Sequence, residues 1–441
     1  MPRPLQRYHY FGYGAAGLGK VAVEVTLQLY LFDFYTRILG LSPLLAGTAF
    51  AVAILWDAVS DVVLSFLLFR ARRGGIAYTT AMLAGAAALA ATTVWLFSPP
   101  DAGPAALFLH LLLAYVLVNT GMTLLDLPHT ALSAELTRDA AGRNKLLASR
   151  MGFGILGLAV ASVLPGLFLQ TGADGPTPEA LRASRTHAAQ ALLALVLVSG
   201  TLTWASIRRA EPAPGAEPTP RPRDLRGIFR DRPFRHILGA GVVAGIGRTI
   251  NAALALLYYR LVLNLSEAQV TRAVLPLFTF CIILSIPLWI RLARRYGKRR
   301  PAYTAVAGLG VMGIIAYPTL PRDLLWPVLL VSVLGGVLSG AVFLVDSMIT
   351  DRIDRDEAVT GTRKEALYFA VWKSALKFTR AAAFVLVGIG LQIAGLDQAA
   401  TSADAGVRFG LILFFGIVVG LCFIASGLLL RKANDATEPP T

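Results

Sequence analysis

Twelve stretches of about 20 predominantly apolar residues, each long enough to cross a bilayer, decide what this chain can fold into. They run approximately over 11–36, 43–69, 76–98, 104–128, 147–170 and 187–207, then over 234–262, 268–291, 301–320, 324–347, 365–396 and 406–430. Backbone in hydrocarbon must satisfy its own N–H and C=O groups, so stretches of this length imply α-helices. Of the 441 residues 56% are hydrophobic and 15% charged, which excludes an assembly of water-soluble domains. The basic start MPRPLQRYHY leads straight into the first span without a small-residue cleavage site, so that span is expected to stay as a helix. The expectation is an all-α integral membrane protein.

Lys and Arg concentrate in alternate loops, and the positive-inside rule then places both termini in the cytoplasm. The formal charge of +15 is thereby spread over many loops as topological anchors, which leaves no basic face for nucleic acid. Cys281 and Cys422 fall in separate spans and the five histidines are scattered, so neither a disulfide framework nor a metal cluster is expected. The longest polar stretch between spans, RRAEPAPGAEPTPRPRDLRGIFRDRP (208–233), is too rich in proline and charge to pack. It divides the chain into an N-terminal six-helix bundle (1–208), a cytoplasmic linker (209–233), a C-terminal six-helix bundle (234–431) and a cytoplasmic tail (432–441). The halves echo each other. RARRGG (70–75) answers RLARRYGKRR (291–300), and AELTRDAAGRNK (134–145) answers TDRIDRDEAVTGTRKE (350–365). Such pairing predicts a duplicated six-helix unit, an arrangement that resembles the major facilitator fold.

A charged side chain at mid-span costs about 2.5–3.5 kcal/mol on insertion scales, so each one needs a reason. WDAVSD (56–61) places Asp57 and Asp61 one turn apart on a single helix face. Two adjacent carboxylates in low dielectric keep a proton, hold a cation between them, or pair with a base such as Lys20 or Arg150. Asp126 on the fourth span adds a third acid, and Asn119, Lys20, Glu24 and Asp33 are further polar residues of this half. The C-terminal half carries bases instead: Arg248 with Asn251 on the seventh span, then Lys373, Lys377 and Arg380 as one stripe on the eleventh, with Asp346 ending the tenth. Lys377 lies roughly 18 Å along its helix from Glu365, too deep for the head to reach the surface. The stripe calls for acidic partners, an anionic substrate, or both.

These segments carry a family resemblance. FGYGAAGLGK (11–20), WDAVSD, LLDLPHTALSAELTRDAAGRNKLLASRMG (124–152), PLWIRLARRYGKRR (287–300) and DRIDRDEAVTGTRKEALYFAVWKSALKF (351–378) are similar to the glycoside–pentoside–hexuronide:cation symporters, over nearly the whole chain. The resemblance implies a major facilitator fold with twelve transmembrane helices, working by alternating access. It implies cation binding at Asp57 and Asp61, with Asp126 as the helix-4 acid. It implies substrate binding by Lys20, Asp126, Arg150 and Lys377, and Glu24, Trp372, Lys373 and Arg380 are added as neighbours. The family's sugar-binding aspartate after the lysine is Val21 here, and the proline after the second helix-2 acid is Val62. Those departures count against a galactoside and favour an anionic solute.

The function expected is secondary active transport, a symport of a sugar, glycoside, uronide or related solute with Na+ or H+ across the bacterial inner membrane. Transport of a lysophospholipid-like substrate and proton-driven export are the alternatives. No nucleophile–base pair, metal cluster or nucleotide loop suggests an enzyme. No cofactor is expected beyond the coupling ion, and no metal beyond a Na+ at Asp57 and Asp61. The partners expected are the solute and the bilayer, with the chain a monomer. Segment 351–364 is expected to form a separate amphipathic cytoplasmic helix. With the basic loops it would latch an inner gate through Arg73, Arg143, Arg295, Arg352, Asp354 and Arg363.

Overall fold

The structure, a computed structural model, describes residues 5–137, 140–170, 176–211, 228–229, 231–360, 364–395 and 405–433. Most of the linker expected at 209–233, and the tail beyond residue 433, lie outside the described residues. The chain divides into two compact units, Met1–Thr219 and Pro220–Thr441.

In the first unit α1 covers Arg7–Thr26 and continues through π-helical turns at Leu27–Leu31 and Phe34–Ile38. Then follow α2 (Pro43–Arg73), α3 (Tyr78–Leu96), α4 (Pro104–Glu135), α5 (Ala140–Leu167) and α6 (Pro178–Ile207). Pro43, Pro104 and Pro178 each open a helix, where the missing N–H would have had no partner. Ser42 and Thr177 cap two of these starts by accepting from the Leu45 and Ala180 N–H groups. In the second unit α7 covers Arg232–Leu257 with a π turn at Tyr258–Val262, and α8 (Leu275–Tyr296) is preceded by helical turns from Glu267. There follow α9 (Arg299–Thr319), α10 (Leu325–Ser339), α11 (Phe343–Thr360), α12 (Glu365–Ile393), α13 (Ala405–Ile412) and, after a π turn, α14 (Val419–Lys432).

Among the described residues, eleven helices are long and apolar enough to cross a membrane. The segment expected as the first span is helical too, from Arg7 to Ile38, but it is not one of the eleven and carries Lys20, Glu24, Asp33 and Arg37. Several helices overrun their expected limits, since the apolar core is shorter than the helix that crosses it. α4 runs on through Pro128 to Glu135, and α6 begins nine residues early, at Pro178 rather than 187.

The expected tenth span is interrupted within itself. Its helix breaks at residues 340–342, between α10 and α11, and then continues without interruption to Thr360. Segment 351–364 is therefore not a separate cytoplasmic helix: the part described, 351–360, completes α11. The cause lies in Gly335, Gly336 and Gly340, poor helix formers. A Cβ on Gly340 would stand 1.9 Å from Ser285 Oγ, so α10 is drawn onto α8 there.

Packing repeats between the units. In the first, α1 packs on α5 and α6, α3 on α4 and α6, and α2 on α4. In the second, α7 packs on α12 and α14, α9 on α10 and α14, and α8 on α10, which are the same pairings in the same order. Turn chemistry repeats as well. Leu39-Gly40-Leu41-Ser42 closes the first helix of one unit and Leu263-Asn264-Leu265-Ser266 that of the other. Gly40 (φ 73°) and Asn264 (φ 55°) both take the left-handed conformation that glycine and asparagine tolerate best. The Leu41 N–H donates to the Tyr35 carbonyl at 2.9 Å, and the Leu265 N–H to that of Tyr259 at 3.0 Å.

Candidate functional site

Asp57 and Asp61 share a face of α2, as a four-residue spacing requires, and that face meets α4. Thr123 Oγ1 lies 3.2 Å from Asp57 Oδ1 and 2.9 Å from Asp61 Oδ1. A hydroxyl owns one hydrogen and donates to one acceptor at a time. The second close contact is therefore an oxygen facing an oxygen. A shared cation or a carboxyl proton makes that contact favourable. Nearby, the Trp56 indole donates to Thr120 Oγ1 at 3.1 Å and Asn119 donates to the Ala53 carbonyl at 3.3 Å, and these bonds fix the α2–α4 register.

One turn further along α4, Asp126 meets bases of two other helices. Its Oδ1 is the partner of Arg150 from α5, and Lys20 Nζ of α1 lies 3.7 Å away. Lys20 also donates to Glu24 at 2.9 Å, and Arg150 donates to Thr130 Oγ1 at 2.9 Å. Gln28 extends the cluster to Glu24 at 3.5 Å. Lys20 and Arg150 are thus engaged by Glu24 and Asp126, the acids of their own cluster. Four expected substrate residues, Lys20, Glu24, Asp126 and Arg150, come together on three helices with two positive and two negative charges. Among the described residues no group of three His, Cys, Asp or Glu side chains forms a metal-binding cluster, so Asp57, Asp61 and Asp126 do not converge as one triad.

A residue pair that was not anticipated holds this geometry. The Tyr13 hydroxyl donates to the His129 carbonyl at 2.7 Å, and His129 Nε2 lies 2.8 Å from the Tyr13 carbonyl. A carbonyl only accepts, so Nε2 carries the hydrogen and the pair clamps α1 to α4. Pro128, inside α4, cannot donate to the carbonyl four residues back, and this loosens the helix just where Asp126 turns inward. The histidine in LLDLPHT was the available signal, a polar ring in an apolar run.

In the second unit Trp372, Lys373, Lys377 and Arg380 lie along α12. The Trp372 side chain lies beside Asp346 of α11, and Arg248 of α7 lies within electrostatic reach of both Asp346 and Arg380. Asn251 and Tyr259 lie beside Tyr317, so the polar residue expected beside Arg248 neighbours an internal group of tyrosines. Among the described residues no acid of this unit lies within 4.0 Å of Arg248, Lys373 or Arg380.

Of the residues expected at a gate, Arg73 and Arg143 belong to the first unit and Arg295, Arg352 and Asp354 to the second. Arg352 bonds to Asp231 at 2.5 Å, an acid that also caps α7 and accepts from the Tyr368 hydroxyl at 3.3 Å. Arg143 and Asp354 are exposed, and the Arg295 guanidinium lies 5.3 Å from the Tyr296 ring centroid. Arg363 lies outside the described residues, as does the side chain of Arg73. Its neighbour Arg72 is the buried one, bonded to Glu135 at 2.7 Å and Glu211 at 2.6 Å. Glu211 also accepts from the Tyr78 and Thr79 N–H groups that open α3. In the second unit Lys298 meets Asp351 at 2.6 Å.

A family model described as MFS/sugar transport protein matches residues 12–433. The inner membrane symporter YicJ of Escherichia coli (strain K12) is 24% identical, with 97% of this chain and 91% of that protein covered. The sodium-dependent lysophosphatidylcholine symporter 1-A of Danio rerio is 22% identical, covering 95% and 82%. The isoprimeverose transporter of Lactiplantibacillus pentosus is also 22% identical, covering 94% and 86%. Among solved structures, a bacterial homolog to the human lysosomal transporter Spinster superposes with a TM-score of 0.65 at 14% identity, covering 99% of this chain and all of that one. At that identity the likeness is one of fold.

Proposed function

This chain belongs to the MFS/sugar transport protein family, among its glycoside–pentoside–hexuronide:cation symporters, and from that premise we propose that Asp57 and Asp61 hold the coupling cation. The protein is a multi-pass membrane transporter and not an enzyme. Its solute is a small organic molecule of the sugar, glycoside or uronide type, and its membrane is the bacterial inner membrane, as for the relative YicJ. The observation that carries the reading is the Asp57–Thr123–Asp61 arrangement, one hydroxyl within hydrogen-bond distance of both carboxyl groups. Oxygen donors of this kind suit a hard cation such as Na+, and a proton shared by the carboxyls relieves the same repulsion.

The charge-balanced cluster of Lys20, Glu24, Asp126 and Arg150 supplies donors and acceptors together, as the hydroxyls of a sugar require. Neutralising the Asp57–Asp61 pair removes a repulsion from the α2–α4 face, next to the turn that carries Asp126. A cation binding there thereby changes the relative stability of the transporter's alternating states, which is what coupling demands. The test is Asp57→Asn in proteoliposomes. Cation-dependent uptake should disappear while the melting temperature is maintained, and undiminished cation-driven transport would remove the ion from this site. Carriage of an amphiphile is a second reading, favoured by a separate feature of the second unit.

A further inference from the structure

The second unit holds an open cavity of about 360 Å3 between α7, α9, α11, α12 and α14. Most of its wall is hydrocarbon, from Val306 and Leu309 on α9, Val345 on α11, Phe369 and Leu376 on α12, and Phe423 on α14. Its charged lining consists of Arg248, Asp346 and Lys373, and all three are exposed rather than packed. The Trp372 indole lies across Gly241, where a Cβ would stand 2.1 Å from Cη2, so glycine is what lets the ring complete the wall. The same side chain lies beside the Asp346 carboxyl. Two cations against one carboxylate leave a net positive charge beside an apolar chamber. Among the described residues no acid of the unit lies within 4.0 Å of either cation.

A cation at membrane depth without a close counter-ion is costly, and an anionic ligand recovers that cost. The chamber itself rejects a bare polar solute, because hydroxyls placed against valine, leucine and phenylalanine lose their hydrogen bonds. A neutral apolar molecule would fill the chamber and leave the charge unmatched. We propose that this cavity binds an amphiphilic anion, a carboxylate or phosphate monoester on an aryl or alkyl body. The head sits at Arg248 and Lys373 and the body lies in the chamber. This deepens the second reading, carriage of an amphiphile, and it rests on that reading only in taking the bound solute as one that is carried.

Binding is therefore measured apart from uptake, by thermal shift and titration calorimetry of the full chain in phosphatidylcholine nanodiscs without Na+. Saturable stabilisation by 4-phenylbutyrate is expected, with butyrate and 4-phenyl-1-butanol each weaker by about tenfold or more. Arg248→Gln should weaken phenylbutyrate binding by a similar factor, and Arg248→Lys should retain most of it. Ala244→Phe, which fills the chamber from α7 and leaves the charges intact, should abolish binding. The ligand-free melting temperature of each variant controls for folding. Phosphatidic acid, a lipid whose head is a phosphate monoester, added to the nanodisc separates the sources of the anion. Competition by it identifies a membrane lipid and its failure to compete a free solute, and either result upholds an anionic amphiphile. Equal stabilisation by the alcohol, no saturable response to phenylbutyrate, or unchanged binding by Arg248→Gln would overturn the proposal. A failure of the Asp57 test bears on the ion site in the other unit and leaves this binding result intact.

Discussion

One hydroxyl hydrogen serves two carboxylates at Thr123, and that mismatch turns a pair of costly acids into a candidate ion site. Thr123→Val keeps the shape and removes the oxygen. If Thr123 is a ligand, half-saturation by the coupling cation should rise about tenfold or more, the scale of one hydrogen bond to a charged group at about 1.5–3 kcal/mol. Thr123→Ser should restore it, and an identical cation dependence in the valine variant would mean the hydroxyl only packs. In the neighbouring cluster Glu24→Gln takes from Lys20 its 2.9 Å ion pair and leaves the 3.7 Å contact with Asp126. Solute affinity is expected to fall while cation half-saturation holds, as uptake curves at varied solute and cation would show. Asp57, Asp61, Lys20 and Arg150 were legible in the sequence because charge in an apolar run is conspicuous. Thr123 was not, and His129 stood out only as a polar ring, with no sign of its partner. A threonine or a single histidine costs little in a helix interior, and only a neighbouring helix gives it a role.

At the scale of elements, close crossing depends on missing side chains. A Cβ on Gly85 of α3 would lie 2.5 Å from the Leu124 carbonyl carbon on α4, and one on Gly310 of α9 would lie 2.5 Å from the Gly420 carbonyl oxygen on α14. Both neighbours are backbone and cannot rotate aside. Gly85→Val should destabilise the protein by about 1–3 kcal/mol or more, the usual result of overpacking, seen as a lowered melting temperature in detergent. Gly152, with open space where a Cβ would go, is the control, and Gly152→Ala should be neutral or slightly stabilising. Length and hydropathy were enough to place the helices, whereas the break at 340–342 was not visible. Apolar content is continuous across it, and the interruption comes from the fit of Gly340 against Ser285 on α8.

For the whole molecule, the alternation of basic loops makes a definite prediction about sidedness. A fluorescent protein fused at the C-terminus should fold and glow, and alkaline phosphatase fused there should be inactive. The opposite pattern would reverse the cytoplasmic placement of both termini. The repeated packing and the paired Gly40 and Asn264 turns show one plan in each unit, while the chemistry placed on that plan differs. The first unit pairs its bases with acids. The second keeps Arg248 and Lys373 at an apolar cavity.

By itself the sequence determined that this chain is a bundle of membrane-crossing helices in two halves, because hydrocarbon leaves the backbone no other way to satisfy its hydrogen bonds. It also singled out the charged residues, because insertion cost makes each one stand out. The tertiary structure alone decided which charges meet. It set Asp126 against Lys20 and Arg150 rather than with Asp57 and Asp61, and it joined Thr123 to that pair. It also closed Trp372 over Gly241 to wall a cavity. Those outcomes depend on contacts between helices distant in sequence, and the spacing of residues within a single helix does not encode them.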